Sequence, residues 1–322
     1  MAHLIDNTAG VNAIAYRGET PWHGLGAKMA ENEPLESWIV RAGLGWQAKK
    51  TPVLFGDDNG IQTLTGKSVI YRDDTRAPLG VVGDGYQIVQ PRDVIEFYRD
   101  LTERHGFQME TAGAIKEGRT VWALARTGDA MRISGTDVVG GYLLLSTSFD
   151  GTAATTGRFT TVRVVCNNTL TAAHNSKPQV SVGHRSKFDM DAAKVKLGVG
   201  DTFANFQLEA QRMAEVGVTP QKAIEYFLAV YHNMTSAQIV EAQAQKTTDK
   251  TIERLAQHFI AGPGAELASA KGTVWGLLNA VTYDVDHSSR ARSNDSRLNS
   301  AWFGQGERTK NAARELALAL AA

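Results

Sequence analysis

A chain of 322 residues with 43% hydrophobic content carries enough apolar side chain for one large or two modest cores. It has no run of about 18 apolar residues that would cross a membrane. Its 34 basic and 34 acidic residues cancel, so bulk charge selects neither a nucleic acid nor an anionic surface as partner. A single cysteine excludes an intramolecular disulfide framework and a multi-cysteine zinc site, and fits a reducing cytoplasm. The first residues, MAHLIDNTAG, lack the basic and apolar regions of a secretory leader. The charge is uneven along the chain: net −4 over 1–150, +5 over 151–200 and −1 over 201–322. The basic segment is either a solvated face or a phosphate-tracking stripe.

The first half reads mostly as strands. WQAKKTPVLF (46–55), SVIYRDD and PLGVVGDGYQIV are β-rich and separated by Asp, Arg and Pro turn chemistry. QPRDVIEFYRDLTERHG then reads as a helix, with Val94, Ile95, Phe97, Tyr98 and Leu101 as its apolar stripe, Pro91 in the first turn and Gly106 as the stop. FQMETAGAI, RTVWALAR, MRISG and DVVGGYLLLSTSF form a second strand group, with Gly118 and Gly135 in hairpin turns. TGRFTTVRVV is a further strand. From Asn167 the small residues of NNTLTAAH predict a helix capped by Asn167 or Asn168. Residues 175–188, NSKPQVSVGHRSKF, read as a basic loop.

Helical periodicity dominates from there. Phe206, Ala210, Met213 and Ala214 share one face; Thr219 and Pro220 open a helix; TSAQ (235–238) matches a capping box; Ile252, Leu255, Ala256 and Phe259 make a stripe stopped near Gly262. TVWGLLNAVTYDVDH and TKNAARELALALAA also read as helical. No repeat of about 20–50 residues is present. The expectation is an α+β fold: a β-rich domain over 1–174 with an intervening helix, ending in a strand-to-helix junction, a basic loop over 175–188, and a helical region over 189–322 packing on the first.

Several residues are candidates for chemistry. Cys166 at a helix N-terminus, with His174 eight residues on, is a weak candidate for nucleophile and base; a strand-end cysteine is far more often a packing residue. His23, His174, His184 and His287 are candidate metal ligands, and Asp284, Asp286 and His287 cluster in YDVDH, without any HExxH, CxxC or EF-hand pattern. GVVGDGY (80–86) lacks the spacing and the helix of a phosphate loop, so no nucleotide cofactor is expected. TTGRFTTVRVVCNNTL supplies what a nucleic-acid grip uses. Phe159 is placed to stack on a base, Arg158 and Arg163 to meet phosphates, and Asn167, Asn168 and Thr169 to donate hydrogen bonds. Lys177, Arg185 and Lys187 on the basic loop complete a clamp. Strand alternation puts Phe159 and Arg163 on one face and Arg158 on the other; the alternative is a core Phe159 with Arg163 in a salt bridge.

The motifs TPWHGLG, YQIVQP, STSFDGTAA, VRVVCNNTL and GTVWGLLNAVTYDVDH, in this order from about 20 to 310, resemble a family of phage- and plasmid-encoded proteins carrying domain of unknown function 932. The resemblance implies a bacterial cytoplasm as the setting. The strand group followed by a helix is also similar to the core of single-strand annealing proteins, in which a bent sheet packs on a helix and subunits form rings or filaments. Three functions follow as expectations. The first is an oligomeric, non-enzymatic binder of single-stranded DNA that promotes annealing. The second is a nucleic-acid-modifying or anti-defence enzyme using Cys166, His174 or the 284–287 cluster. The third is an assembly protein whose late helices, including AARELALALAA, contact another copy.

Overall fold

The computed structural model describes residues 5–18, 25–58, 60–163, 168–172, 179–197, 199–232, 234, 238, 249–292 and 294–322. The chain is α+β. Its first part holds β1 (Ile14–Tyr16), β2 (Ala27–Lys28), α1 (Leu35–Arg41), β3 (Ala48–Asp57), β4 (Gly60–Arg72), β5 (Pro78–Gly83), α2 (Pro91–Glu96) and α3 (Arg99–Arg104). Then follow β6 (Gln108–Ile115), β7 (Thr120–Ser134), β8 (Asp137–Ser148), β9 (Thr155–Arg163), β10 (Asn168–Ala172) and β11 (Gln179–Val182). The helical part holds α4 (Met190–Leu197), α5 (Val199–Glu215), α6 (Pro220–His232), α7 (Lys250–Ala261), α8 (Val274–Tyr283), a π-helical turn (Asp284–Ser288), α9 (Asn294–Phe303) and α10 (Gln305–Leu320).

Eight strands form one open sheet in the order β10-β9-β8-β7-β6-β1-β2, with β11 also pairing with β9; β3, β4 and β5 form a separate antiparallel sheet. Alternation along the central strands gives each face its own cluster. Val121, Ala123, Ala125, Leu143, Leu145 and Phe159 belong to the main core with Val94, Ile95, Phe97 and Tyr98 of the α2–α3 region. Ile14, Ile115, Trp122, Leu124 and Leu144 form a second cluster, on which Trp302 of α9 packs edge-on to Trp122 at 5.5 Å. The Tyr98 hydroxyl, at the α2–α3 break, shares its hydrogen between the carbonyls of Ala123 (2.8 Å) and Leu143 (2.9 Å), fixing that pair of helices to the sheet.

Local signals hold where they are self-contained. Pro91 stands at the start of α2, whose cap Gln90 forms a reciprocal box with Asp93. The Thr219 hydroxyl accepts from the Lys222 amide at the head of α6, and Gly262 ends α7. Gly118 turns between β6 and β7 at φ +87°, and a Cβ there would sit 3.1 Å from Nη1 of Arg72, so this turn needs glycine for two reasons.

Three expectations are corrected. The helix read over 91–105 is two short helices, broken between Glu96 and Arg99. The segment after Asn167 is not a helix: Asn168–Ala172 is β10, antiparallel to β9 with Asn168 opposite Arg163 and Ala172 opposite Phe159. Alternating threonines (Thr169, Thr171) and an available strand edge outweigh the capping tendency of asparagine. The basic loop also contains a strand: Gln179–Val182 is β11, which pairs with Thr155–Arg158 of β9.

The helical part closes around this end of the sheet. α4 packs on β9 and β11, α5 on β7 and β10, and α8 and α10 on β10. Asp137, fully buried at the start of β8, accepts hydrogen bonds from Ser269 Oγ (2.6 Å) and Trp275 Nε1 (2.9 Å), tying the head of α8 to the sheet. Gly276 beside it has no space for a side chain: a Cβ would lie 2.0 Å from the Ala270 carbonyl oxygen.

Candidate nucleic-acid interface

The strand expected to grip a nucleic acid is largely internal. Phe159 is 1% exposed and part of the main core, so its ring is not available to stack on a base. Arg158 is buried; its guanidinium donates to the Glu307 carboxylate and to the Trp302 carbonyl. Burial pushes the Arg158 pKa down and Glu307 opposes that shift. The group stays charged and acts as a strut between β9 and the start of α10. Arg163, Asn168 and Thr169 are described through their backbones, paired between β9 and β10. Asn167, Lys177, Cys166 and His174 lie outside the described residues, as does His23.

The acidic cluster at 284–287 does not converge. Asp284 is fully buried and accepts from Arg254 Nε (2.5 Å), Arg254 Nη2 (3.2 Å) and the Tyr231 hydroxyl (2.8 Å). Burial, reinforced by the Asp284 charge, pushes the Tyr231 hydroxyl far up, which keeps it a donor. Asp286 pairs with Lys310 of α10 at 2.8 Å, and the His287 ring lies 4.8 Å from that of Tyr283. Three neighbours in sequence thus serve three different contacts. Among the described residues, no group of three or more His, Cys, Asp or Glu is arranged to hold a metal.

Arg185 and Lys187 are in a different position: both are exposed, on a segment held in place. The His184 ring lies on Tyr86, centroids 4.2 Å apart and planes inclined by 13°. The Gln87 amide donates to the His184 carbonyl (2.5 Å), and His184 Nδ1 lies 2.9 Å from the Gln87 carbonyl, as a donor on that nitrogen. Tyr86 is itself fixed, its hydroxyl donating to the Ser148 carbonyl at 2.6 Å. The other ring nitrogen, Nε2 of His184, is buried. Burial pushes this imidazole down, with the Gln87 and Ala153 carbonyls opposing.

The same corner receives a lysine from the smaller sheet. Lys50 of β3 is exposed and donates from Nζ to the Asp84 carbonyl at 2.8 Å, two residues before Tyr86. The carboxylates near this corner are Asp84, Asp150 and Asp189, each held by hydrogen bonds from neutral groups that leave its charge in place. Asp84 accepts from Ser68 (2.7 Å), and Asp189 caps the head of α4 through the Ala192 amide (2.9 Å). Lys50, bonded beside Asp84, and Arg185 and Lys187, which follow His184 in the chain, therefore belong to one corner, where the residues after β5 meet the turn after β11.

A family model described as Domain of unknown function (DUF932) matches residues 78–302. The chain belongs to the DUF932 family. No curated protein and no solved structure matches it. The span matched to DUF932 begins at β5 and includes Tyr86, His184, Arg185 and Lys187; the β3–β4 hairpin with Lys50 lies before it. Several motif residues of this DUF932 chain have structural roles: Tyr86, Gln90 and the Gln87 backbone in YQIVQP, Ser148 in STSFDG, and Trp275, Gly276 and Asp284 in GTVWGLLNAVTYDVDH. Among the described residues, no helix is long and apolar enough to cross a membrane. Sequence reasoning singled out Arg185 and Lys187 but missed Tyr86 and Lys50 as their neighbours, because nothing local reports that residues 84–87 meet residue 184.

Proposed function

We propose that this chain binds single-stranded DNA through the corner formed by Lys50, Arg185 and Lys187, as an oligomer that promotes strand annealing for a phage or plasmid in a bacterial cytoplasm. The observation that carries the reading is the pinned basic turn. Two exposed cations sit on a segment already ordered by the His184–Tyr86 stack, so little ordering entropy opposes contact with a phosphate chain. Such contacts are independent of base sequence and depend on salt through counterion release. Binding to single strands rather than duplex rests on the resemblance of the strand–helix core to annealing proteins.

The test is fluorescence anisotropy of a labelled oligonucleotide, single-stranded and as duplex, at low and rising salt, with wild type and the double variant Arg185→Ala, Lys187→Ala. Tight low-salt binding of the single strand, weakened in the variant, supports the reading. Absence of low-salt binding removes it, and equal binding of duplex removes the annealing role.

A further inference from the structure

The β3–β4 hairpin extends well past its neighbour. β5 pairs with β4 only from Lys67 to Tyr71, so Val53–Asp57 and Gly60–Leu64 stand as a two-stranded ribbon. A three-residue register slip at Pro52/Val53 separates this ribbon from the sheet below. Cross-strand pairing sets Val53, Leu64, Phe55 and Gln62 on one face, and Leu54, Thr63 and Ile61 on the other. Leu54 is 60% exposed, Phe55 47%, Ile61 79% and Leu64 44%. A ribbon designed to stand in water alternates apolar and polar residues, and even then two strands alone are marginally stable. This one shows large apolar side chains on both faces, so it needs cover on both.

Charge narrows what provides the cover. The turn carries Asp57 and Asp58, and no Lys or Arg occurs from Thr51 to Gly66. Phosphate chains and anionic lipid are repelled by such a tip. The chain itself carries a basic segment: Arg290 and Arg292 are both exposed on the connection between the π-helical turn and α9, with carboxylates flanking it at Asp286 and Asp295. The preceding Asp286 is already paired with Lys310.

We propose that the β3–β4 ribbon of one copy docks on a second copy of this chain, with its acidic tip against Arg290 and Arg292. The two surfaces differ, so the contact is head-to-tail and propagates into a ring or an open filament. The inference deepens the oligomer part of the proposed function and uses residues outside the Lys50–Arg185–Lys187 corner.

The test is the mass of the full chain in solution by sedimentation over a range of concentrations. Wild type is compared with three variants: Leu54→Ser with Phe55→Ser and Ile61→Ser; Asp57→Lys with Asp58→Lys; and Arg290→Asp with Arg292→Asp. The substituted side chains are exposed, and an unchanged thermal melt of the monomer confirms that each variant folds. The expected result is an assembly for wild type, its loss in each variant, and its return when the two charge-reversed variants are mixed. A monomeric wild type at every concentration, or a serine variant that keeps the wild-type mass, overturns the proposal. Failure of the mixture to reassemble overturns the assigned surface. Oligonucleotide binding measured on the same samples separates this result from the DNA reading: ribbon variants keep the cationic corner, and corner variants keep the ribbon.

Discussion

The imidazole of His184 lies flat on the phenol ring of Tyr86, 4.2 Å between centroids, although 98 positions separate the two residues in the chain. The stack joins the turn after β11 to the segment after β5, and the backbone bond from Gln87 to His184 locks the same junction. It converts a basic stretch that would otherwise be a solvated loop into a fixed feature of the surface.

His184→Ala removes the stacked ring. The expected outcome is faster amide exchange over 183–189 and weaker oligonucleotide binding, because ordering the turn is then charged to the binding step. His184→Phe keeps a flat ring on Tyr86 and retains most of both. Hydrogen exchange and anisotropy on the two variants check this; an alanine variant matching wild type in both measurements removes the stack from the account.

The pH dependence follows from the same ring and from His258. Burial pushes both imidazoles down, for His258 with the Asp284 charge opposing. The unfolded chain therefore takes up protons first as pH falls through about 6.5, the unperturbed histidine value. The unfolded state binds more protons in that window, so stability rises with pH there and is lost on acidification toward the depressed folded values. Urea midpoints measured from pH 8 to about 5 should fall with pH, and less steeply in His184→Phe; Glu110, whose carboxyl pKa is pushed up by burial, acts in the opposite sense toward the acid end. A midpoint that rises on acidification contradicts the assignment.

Arg158 and Glu307 test the strut. Arg158→Met leaves the Glu307 carboxylate without its guanidinium at a largely enclosed site, and the expected loss is about 3 kcal/mol in urea unfolding. Replacing both partners by methionine should cost less than the two single changes together. Oligonucleotide affinity of the folded variant should stay at the wild-type value, since Arg158 does not face solvent; a selective loss of binding with unchanged stability would return Arg158 to the interface.

Asp284→Asn breaks the charge pair with Arg254 under a buried carboxylate. The expected effect is destabilisation of about 2–3 kcal/mol, softened because Arg254 reaches solvent and keeps part of its hydration. Chemical denaturation of the variant measures it. An asparagine variant as stable as wild type would show that Asp284 is not a structural anchor.

What the sequence reveals divides by range. The helix starts at Pro91 and Thr219, the stop at Gly262, the turns at Gly118 and Gly135, and the apolar stripe ending in Leu101 depend on neighbours within a turn or a hairpin, and all are legible. β10 is not, because Asn168–Ala172 becomes a strand only through pairing with β9 under α5, α8 and α10. Arg158 looks like a phosphate ligand until Glu307, 149 positions away, is seen to take it. The same limit applies to the corner: Arg185 and Lys187 are visible as charges, whereas Lys50 and Tyr86 join them only through the fold. The β-rich end of WQAKKTPVLF predicts β3, but nothing local shows that Leu54 and Phe55 stand exposed or that Gly60–Leu64 pairs with them as a ribbon.

The most direct test of the central claim is the salt dependence of single-strand binding. Each cation that neutralises a phosphate contributes about 0.7 to the slope of log affinity against log salt for a single strand. Wild type should bind at low salt with a steep negative slope, and Arg185→Ala with Lys187→Ala should weaken binding and flatten that slope by about 1.4. A wild-type chain that binds no single strand at low salt, or a double variant with the wild-type slope and affinity, contradicts the claim that this corner holds the nucleic acid.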